Sequence, residues 1–351
     1  MSFKTWISLL TVALILVVLY LARHEITTAW NLLGQVNLWV LALLIPLQIL
    51  SYFGVGQMIF EYLRSKGDIK DVKWTEKARM ALELNFVNHV LPSGGVSGFS
   101  YMGWRLKHQG VNTGRSTMAQ VVRYAATFVS YLVLLMLAVV IITIDGSVNR
   151  FTILISSMLA STIIFGAVFT IYVVGNEARL RGFAKGLSEF INSFGRNVIM
   201  RKEPLVEPDR IERFLMVLHV DYLELRQDKG LLKKPLVWGF VVNITDVAMF
   251  FVAFWALGIL VNPATLLIAY GIAAISGLVM ITPGGAGVYE VLMFSFLASA
   301  GLPSGASIAA ILLARVILVL GTLISGYIFY QLALLKYGKK PPEDADIRNT
   351  D

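Results

Sequence analysis

No cysteine occurs in the 351 residues, so neither a disulfide nor a thiolate metal site can form. Histidine is nearly as scarce: His24, His89, His108 and His219 are too scattered for metal-ligand spacing, and no metal or cofactor is expected. Charge is the third deficit. Asp, Glu, Lys and Arg make up 15% of the chain and hydrophobic residues 57%, with a mean hydropathy of +0.71, which excludes an ordinary soluble globular protein. Walker, dinucleotide, G-x-S-x-G and H-E-x-x-H patterns are also missing. Ser93 and Ser97 stand beside glycines, yet His89 is the only membrane histidine near them and no third orienting group accompanies it, so a non-enzyme is expected. Nothing points to nucleic acid.

What remains is an integral membrane protein. Six apolar runs have the length of a membrane-crossing helix: Trp6–Ala22, Leu38–Phe60, Met118–Ile144, Phe151–Gly175, Leu236–Leu260 and Ser307–Leu335. The first is too long for a signal-peptide core and has no convincing cleavage site after it, so it reads as a retained helix. Two further apolar stretches, 81–104 and 264–301, are broken by Leu91-Pro92-Ser93-Gly94-Gly95 and by Thr282-Pro283-Gly284-Gly285-Ala286-Gly287. The expected fold is an all-α polytopic membrane bundle of six clear spans plus two Pro/Gly-broken, re-entrant segments.

Charge placement sets the topology. Of 30 Lys and Arg residues, 26 fall in segments assigned to the cytoplasmic side, which places both termini in the cytoplasm of a cell-membrane protein. The pieces flanking Pro92 are about 11 and 12 residues, too short to span, so the first break is expected at the tip of a hairpin returning to its own side. The pieces flanking Pro283 are about 19 and 18 residues, which leaves two spans or one deep hairpin open.

The two breaks are related. A shift of 191 residues superposes Pro92 on Pro283, Gly94 on Gly285, Gly110 on Gly301 and Ser116 on Ser307, and 8 of 33 ungapped positions match. With opposite directions of entry this is the pattern of an inverted-topology repeat. The expected organisation is a single transmembrane domain over 1–338, with repeat 1 at about 37–175, a cytoplasmic amphipathic loop at 176–235 and repeat 2 at about 236–335; a disordered tail follows at 339–351. Within the loop, Asp209 and Glu212 form a capping pattern ahead of an amphipathic helix.

Unwound backbone in lipid is tolerated where it lines a polar cavity, and half-helix N-termini suit anions. Candidate anion-binding positions are therefore Pro92, Ser93, Gly94, Gly95, Pro283, Gly284, Gly285 and Gly287, joined by Arg123, Glu290 and Arg315. Arg123 and Arg315 suit a phosphate; the alternatives are snorkelling for Arg123 and a structural ion pair with Glu290 or Asp246 for Arg315. Glu290 reads equally as a helix cap and as a gate partner or proton acceptor. Glu83, Asn85, Asn88, His89 and Asp246 are the gating or pairing candidates; for His89 a bond to a backbone carbonyl is the plainer reading.

The run Asn85-Phe-Val-Asn-His-Val-Leu-Pro-Ser-Gly-Gly-Val-Ser-Gly98, with Pro283-Gly-Gly-Ala-Gly-Val-Tyr-Glu290 followed by Gly301 and Arg315, resembles the lysylphosphatidylglycerol synthase transmembrane-region family of flippase-like proteins. The resemblance covers about residues 5 to 335. It implies a membrane domain that moves a modified lipid between leaflets, here expected as a stand-alone domain without an aminoacyltransferase. The expected function is translocation of an anionic amphiphile, either an aminoacylated phospholipid or a polyprenyl-phosphate-linked lipid. Ion-coupled transport of a small polar solute and a non-transporting role beside a lipid-modifying enzyme are the alternatives. Expected partners are membrane lipids, and a separately encoded lipid-modifying or glycosyl-transfer enzyme.

Overall fold

A computed structural model describes residues 36–69, 72–91, 96–145, 150–198, 208–228, 230–279 and 287–338, with single positions between 20 and 34. Pro92, Ser93, Gly94, Gly95, Pro283, Gly284 and Gly285, the span expected at Trp6–Ala22 apart from Tyr20, and the tail at 339–351 lie outside the described residues. The chain divides into two compact units, Met1–Leu159 with Lys234–Asp351, and Ala160–Lys233.

The described residues form helices joined by turns and short connections. In chain order these are α1 (Leu38–Leu41), α2 (Leu44–Ser65), α3 (Trp74–Val90), α4 (Val96–Lys107), α5 (Thr113–Asp145), α6 (Arg150–Val174), α7 (Glu177–Val198), α8 (Pro208–Gln227), α9 (Gly230–Ala256), α10 (Pro263–Val279), α11 (Val288–Ser299) and α12 (Ser304–Tyr337). Among the described residues four stretches are long and apolar enough to cross a membrane: Leu38–Ser65, Thr113–Ile144, Gly230–Ala256 and Ser304–Tyr337. They cover four of the six expected runs, and α6 covers the fifth. On α5, Leu137, Val140, Ile141 and Ile144 are exposed, an outer face that suits acyl chains and not water.

Each broken segment is a pair of helices packed on one another, α3 with α4 and α10 with α11. Both pairs are asymmetric. The limbs before the breaks have 17 residues each and the limbs after them 12, about 18 Å at 1.5 Å per residue, which is short of a ~30 Å hydrocarbon core. In the second pair the described helices occupy Pro263–Val279 and Val288–Ser299 of the pieces of about 19 and 18 residues read from the sequence, and residues 280–286 between them lie outside the described residues.

The local structure follows the 191-residue shift. Gly110 and Gly301 both take positive φ, 84° and 91°, where a side chain would be strained. Around them Val111 N donates to Leu106 O, and Leu302 N to Leu297 O, each at 3.1 Å, closing the preceding helix in the same way. Ser116 N bonds Asn112 O and Ser307 N bonds Pro303 O, each at 3.0 Å. The matched Met102 and Met293, and Ala119 and Ala310, are fully buried.

In the larger unit α12 is the common surface. Leu313 joins Leu41, Leu44, Met249 and Val252 in one apolar cluster, while Leu323 joins Phe86, Val87, Val90 and Tyr101 in another. Helices approach closely where glycine removes the side chain: a Cβ on Gly326 would run into Phe86, and one on Gly239 would lie 2.6 Å from Ala126 O. In the smaller unit α7 packs on α8, where Arg181 pairs with Glu177 at 2.6 Å and with Glu212 at 3.6 Å. The sequence reading left α7 inside a loop; its alternating charges lower its mean hydropathy and hide the apolar face.

Candidate functional site

A polar cavity of about 250 Å³ opens inside the larger unit. Helix α2 contributes Gln48, Ser51 and Tyr52, α3 contributes Asn85 and His89, and α9 contributes Asp246. Tyr270 of α10, Tyr289 of α11, and Arg315 and Thr322 of α12 complete its polar wall. Both limbs before the breaks and the first turn of α11 therefore face one space, as expected where broken helices line a cavity.

Arg315 is the cation of this wall. Its Nε donates to Glu290 Oε1 at 2.7 Å, with 16% and 17% of the two side chains exposed, and its guanidinium carbon lies 4.3 Å from the centre of the Tyr289 ring. The second Glu290 oxygen accepts the N–H of Gly287 at 2.7 Å, at the start of α11. Glu290 therefore caps the helix and pairs with the arginine together; the two readings are not exclusive. A free backbone N–H at a helix start and a guanidinium both attract negative charge, so one carboxylate between them gains from each.

Asp246 takes different partners. Its Oδ1 accepts from Ser51 Oγ at 2.7 Å and its Oδ2 from the Tyr270 hydroxyl at 2.9 Å, tying α9 to α2 and α10. Of the two partners considered for Arg315, Glu290 is the one that pairs with it, and two hydroxyls hold Asp246. His89 Nδ1 sits 2.8 Å from Asn85 O, the plainer of its two readings, while its ring still lines the cavity. Asn85 donates to Ala81 O at 2.9 Å. Phe250 stacks on Tyr289 with ring centres 6.2 Å apart and closes one side.

Three sequence candidates lie elsewhere. Asn88 Oδ1 accepts Gly98 N at 3.0 Å and pins α4 to α3. Glu83 is fully buried in a cluster of its own, accepting from Arg79 Nε at 2.8 Å, Arg105 Nε at 2.9 Å and the Tyr101 hydroxyl at 2.8 Å. Arg105 also reaches Glu76 at 2.7 Å, so two cations and two carboxylates balance. Arg123 is buried with its guanidinium carbon 4.1 Å from the Tyr124 ring centre, and it is not in the wall of the Arg315 cavity. Because α5 begins at Thr113, Arg123 is the eleventh residue of its helix, about 15 Å in, and deeper than the run starting at Met118 implied.

Gln48, Ser51, Tyr52, Tyr270 and Thr322 were missed. The signal was present on α2, where Gln48, Ser51 and Tyr52 are polar at i, i+3 and i+4 within an apolar run, one helix face.

Chemically the wall offers the guanidinium of Arg315, the carboxylate of Asp246 and several neutral hydrogen-bonding groups, with Glu290 behind the guanidinium. It can hold a group carrying both signs of charge, and its volume is that of a headgroup. Among the described residues no cluster of His, Asp and Glu is arranged to hold a metal ion. No curated protein sequence matches the chain. The sequence pattern of the family described as lysylphosphatidylglycerol synthase TM region matches residues 5–326, nearly the whole length. With its apolar helices and that match, the chain is a multi-pass membrane protein belonging to the lysylphosphatidylglycerol synthase TM region family.

Proposed function

We propose that the protein translocates a phosphate-bearing amphiphile between leaflets of the cell membrane, holding its headgroup in the Arg315 cavity while the chains stay in lipid. The observation that carries this is a partly buried arginine in the wall of a cavity lined by polar side chains inside an apolar bundle, with its charge oriented by Glu290. An intramembrane ionisable residue costs several kcal/mol facing lipid, so a cluster of them around a space marks a route for a polar group. Arg315 takes the phosphate. Asp246, whose two oxygens accept from the Ser51 and Tyr270 hydroxyls, suits an amine on the same headgroup. An aminoacylated phospholipid brings both groups, whereas a polyprenyl phosphate brings only the first.

In this reading the α3–α4 and α10–α11 pairs are re-entrant hairpins of an inverted repeat. With both termini cytoplasmic, α3–α4 enters from the inside and α10–α11 from the outside, and the two halves alternate access around the cavity. The protein performs no bond chemistry, and an enzyme that modifies the lipid is its natural partner. The test is native mass spectrometry of the purified protein with aminoacylated and plain phosphatidylglycerol. The aminoacylated lipid should be retained more strongly and Arg315→Ala should lose both; equal retention of both lipids by the two proteins would refute the assignment.

A further inference from the structure

The larger unit holds a second cavity, of about 410 Å³, that shares a single wall residue, Tyr52, with the first. Its other walls include Ile49 of α2, Trp74, Arg79 and Leu82 of α3, and Phe329 of α12. Helices α2 and α12 each pack along α3 but touch one another only sparingly, which leaves a cleft between them over α3. Ile49 is 53% exposed and Trp74 64% exposed along it.

Where α2 and α12 do meet, the contact is polar. The Tyr52 and Thr322 hydroxyls hydrogen-bond each other, and Gln48 Nε2 donates to the Tyr52 hydroxyl at 2.9 Å, to Thr322 Oγ1 at 3.2 Å and to Leu318 O at 2.8 Å. Gly321 permits the approach, since a Cβ there would lie 3.1 Å from Gln48 Oε1. Gln48, Tyr52 and Thr322 all line the first cavity and Tyr52 lines the cleft as well, so Tyr52, held by the other two, stands between the two spaces.

We propose that the cleft is a lateral portal through which a phospholipid reaches the Arg315 cavity, with the Tyr52–Thr322 contact as its latch; this rests on the lipid-translocating reading above. The occupant follows from the lining. Ile49, Leu82 and Phe329 form an apolar track for an acyl chain, while Arg79 and Trp74 in the same wall supply the basic and aromatic groups found at headgroup level. Arg79 keeps 21% of its side chain exposed, and its Nη2 donates to Phe329 O at 3.3 Å, which holds the guanidinium in the cleft wall. Its charge is balanced by Glu83, and Glu76 lines the same cleft, so the wall carries both signs of charge and a headgroup is not trapped there, as a passage site requires. On the orientation given by the Lys and Arg distribution, the portal opens to the cytoplasmic leaflet. A headgroup entering there displaces one hydroxyl pair and exchanges it for its own hydrogen bonds, while its chain never leaves apolar surroundings.

The absence of cysteine supplies the test. Ile49→Cys is labelled in detergent with a bulky thiol reagent, reconstituted, and compared with its unlabelled form and with labelled Ile144→Cys on the exposed outer face of α5. Exchange of a fluorescent aminoacylated phospholipid should fall about tenfold on labelling position 49 and stay unchanged on labelling position 144. If the labelled position-49 protein exchanges at its unlabelled rate while Arg315→Ala does not exchange, the portal is wrong and the cavity assignment stands. If unlabelled and wild-type proteins exchange no lipid above empty liposomes, both are wrong.

Discussion

Glu290 binds Arg315 and Gly287 with separate oxygens, each contact 2.7 Å long, so one carboxylate fixes both the first turn of α11 and the arginine of α12. Glu290→Gln keeps an oxygen for one of these contacts and loses the charge that serves both. Thermal unfolding in detergent should show a loss of about 1–3 kcal/mol, the range for a charged hydrogen bond in a partly buried site. Glu290→Gln combined with Arg315→Gln should cost less than the sum of the single changes, and strict additivity would contradict the pairing.

Asp246 separates the two headgroup charges. Asp246→Asn keeps hydrogen bonding to Ser51 and Tyr270 but removes the negative charge. Binding of the aminoacylated lipid should weaken by about tenfold and that of plain phosphatidylglycerol should not, a difference near 1.4 kcal/mol. Native mass spectrometry at matched lipid ratios reads it directly, and equal weakening of both lipids would remove the amine from the account.

Glu83 belongs to architecture. It is fully buried with Arg105, and removing its charge leaves two guanidinium groups without their central partner. Glu83→Gln should destabilise the purified protein by about 3–5 kcal/mol, as expected when one member of a buried pair is neutralised. Glu83→Gln with Arg105→Met should recover part of that loss; no recovery would mean that Glu83 acts alone.

The close passage of α3 and α12 gives a steric prediction. Gly326→Ala places a methyl group against Phe86 and should lower stability by about 1–3 kcal/mol, while Gly305→Ala meets open space and should be neutral or slightly stabilising. Differential scanning fluorimetry of the two proteins checks it.

Much of the site was legible because its chemistry is costly. A charged residue inside an apolar run has few explanations, so Arg315, Glu290, Asp246 and His89 stand out in the sequence, and the Pro-Gly breaks divide the limbs that carry Asn85, His89, Tyr270 and Tyr289. Partners set by tertiary packing were not legible: Ser51 lies 195 residues from Asp246, and no spacing rule joins them. Arg123 shows the limit of the repeat as a guide. It stands close to the place of Arg315 in the shifted register, yet Phe99 occupies the place of Glu290, so the first of the two aligned segments has no carboxylate at that position to orient an arginine. Glu76, Arg79 and Glu83 recur at i, i+3 and i+7, a charged stripe on one face of α3 that points to the Glu83 cluster and away from a gating role.

Leaflet exchange in reconstituted liposomes tests the central claim most directly. With a fluorescent aminoacylated phospholipid and a quencher confined outside, wild-type protein should expose the inner-leaflet label well above the rate of empty liposomes, and Arg315→Ala, folded by its thermal transition, should reduce the excess about tenfold or more. Wild-type exchange equal to empty liposomes, or undiminished exchange by Arg315→Ala, would contradict it.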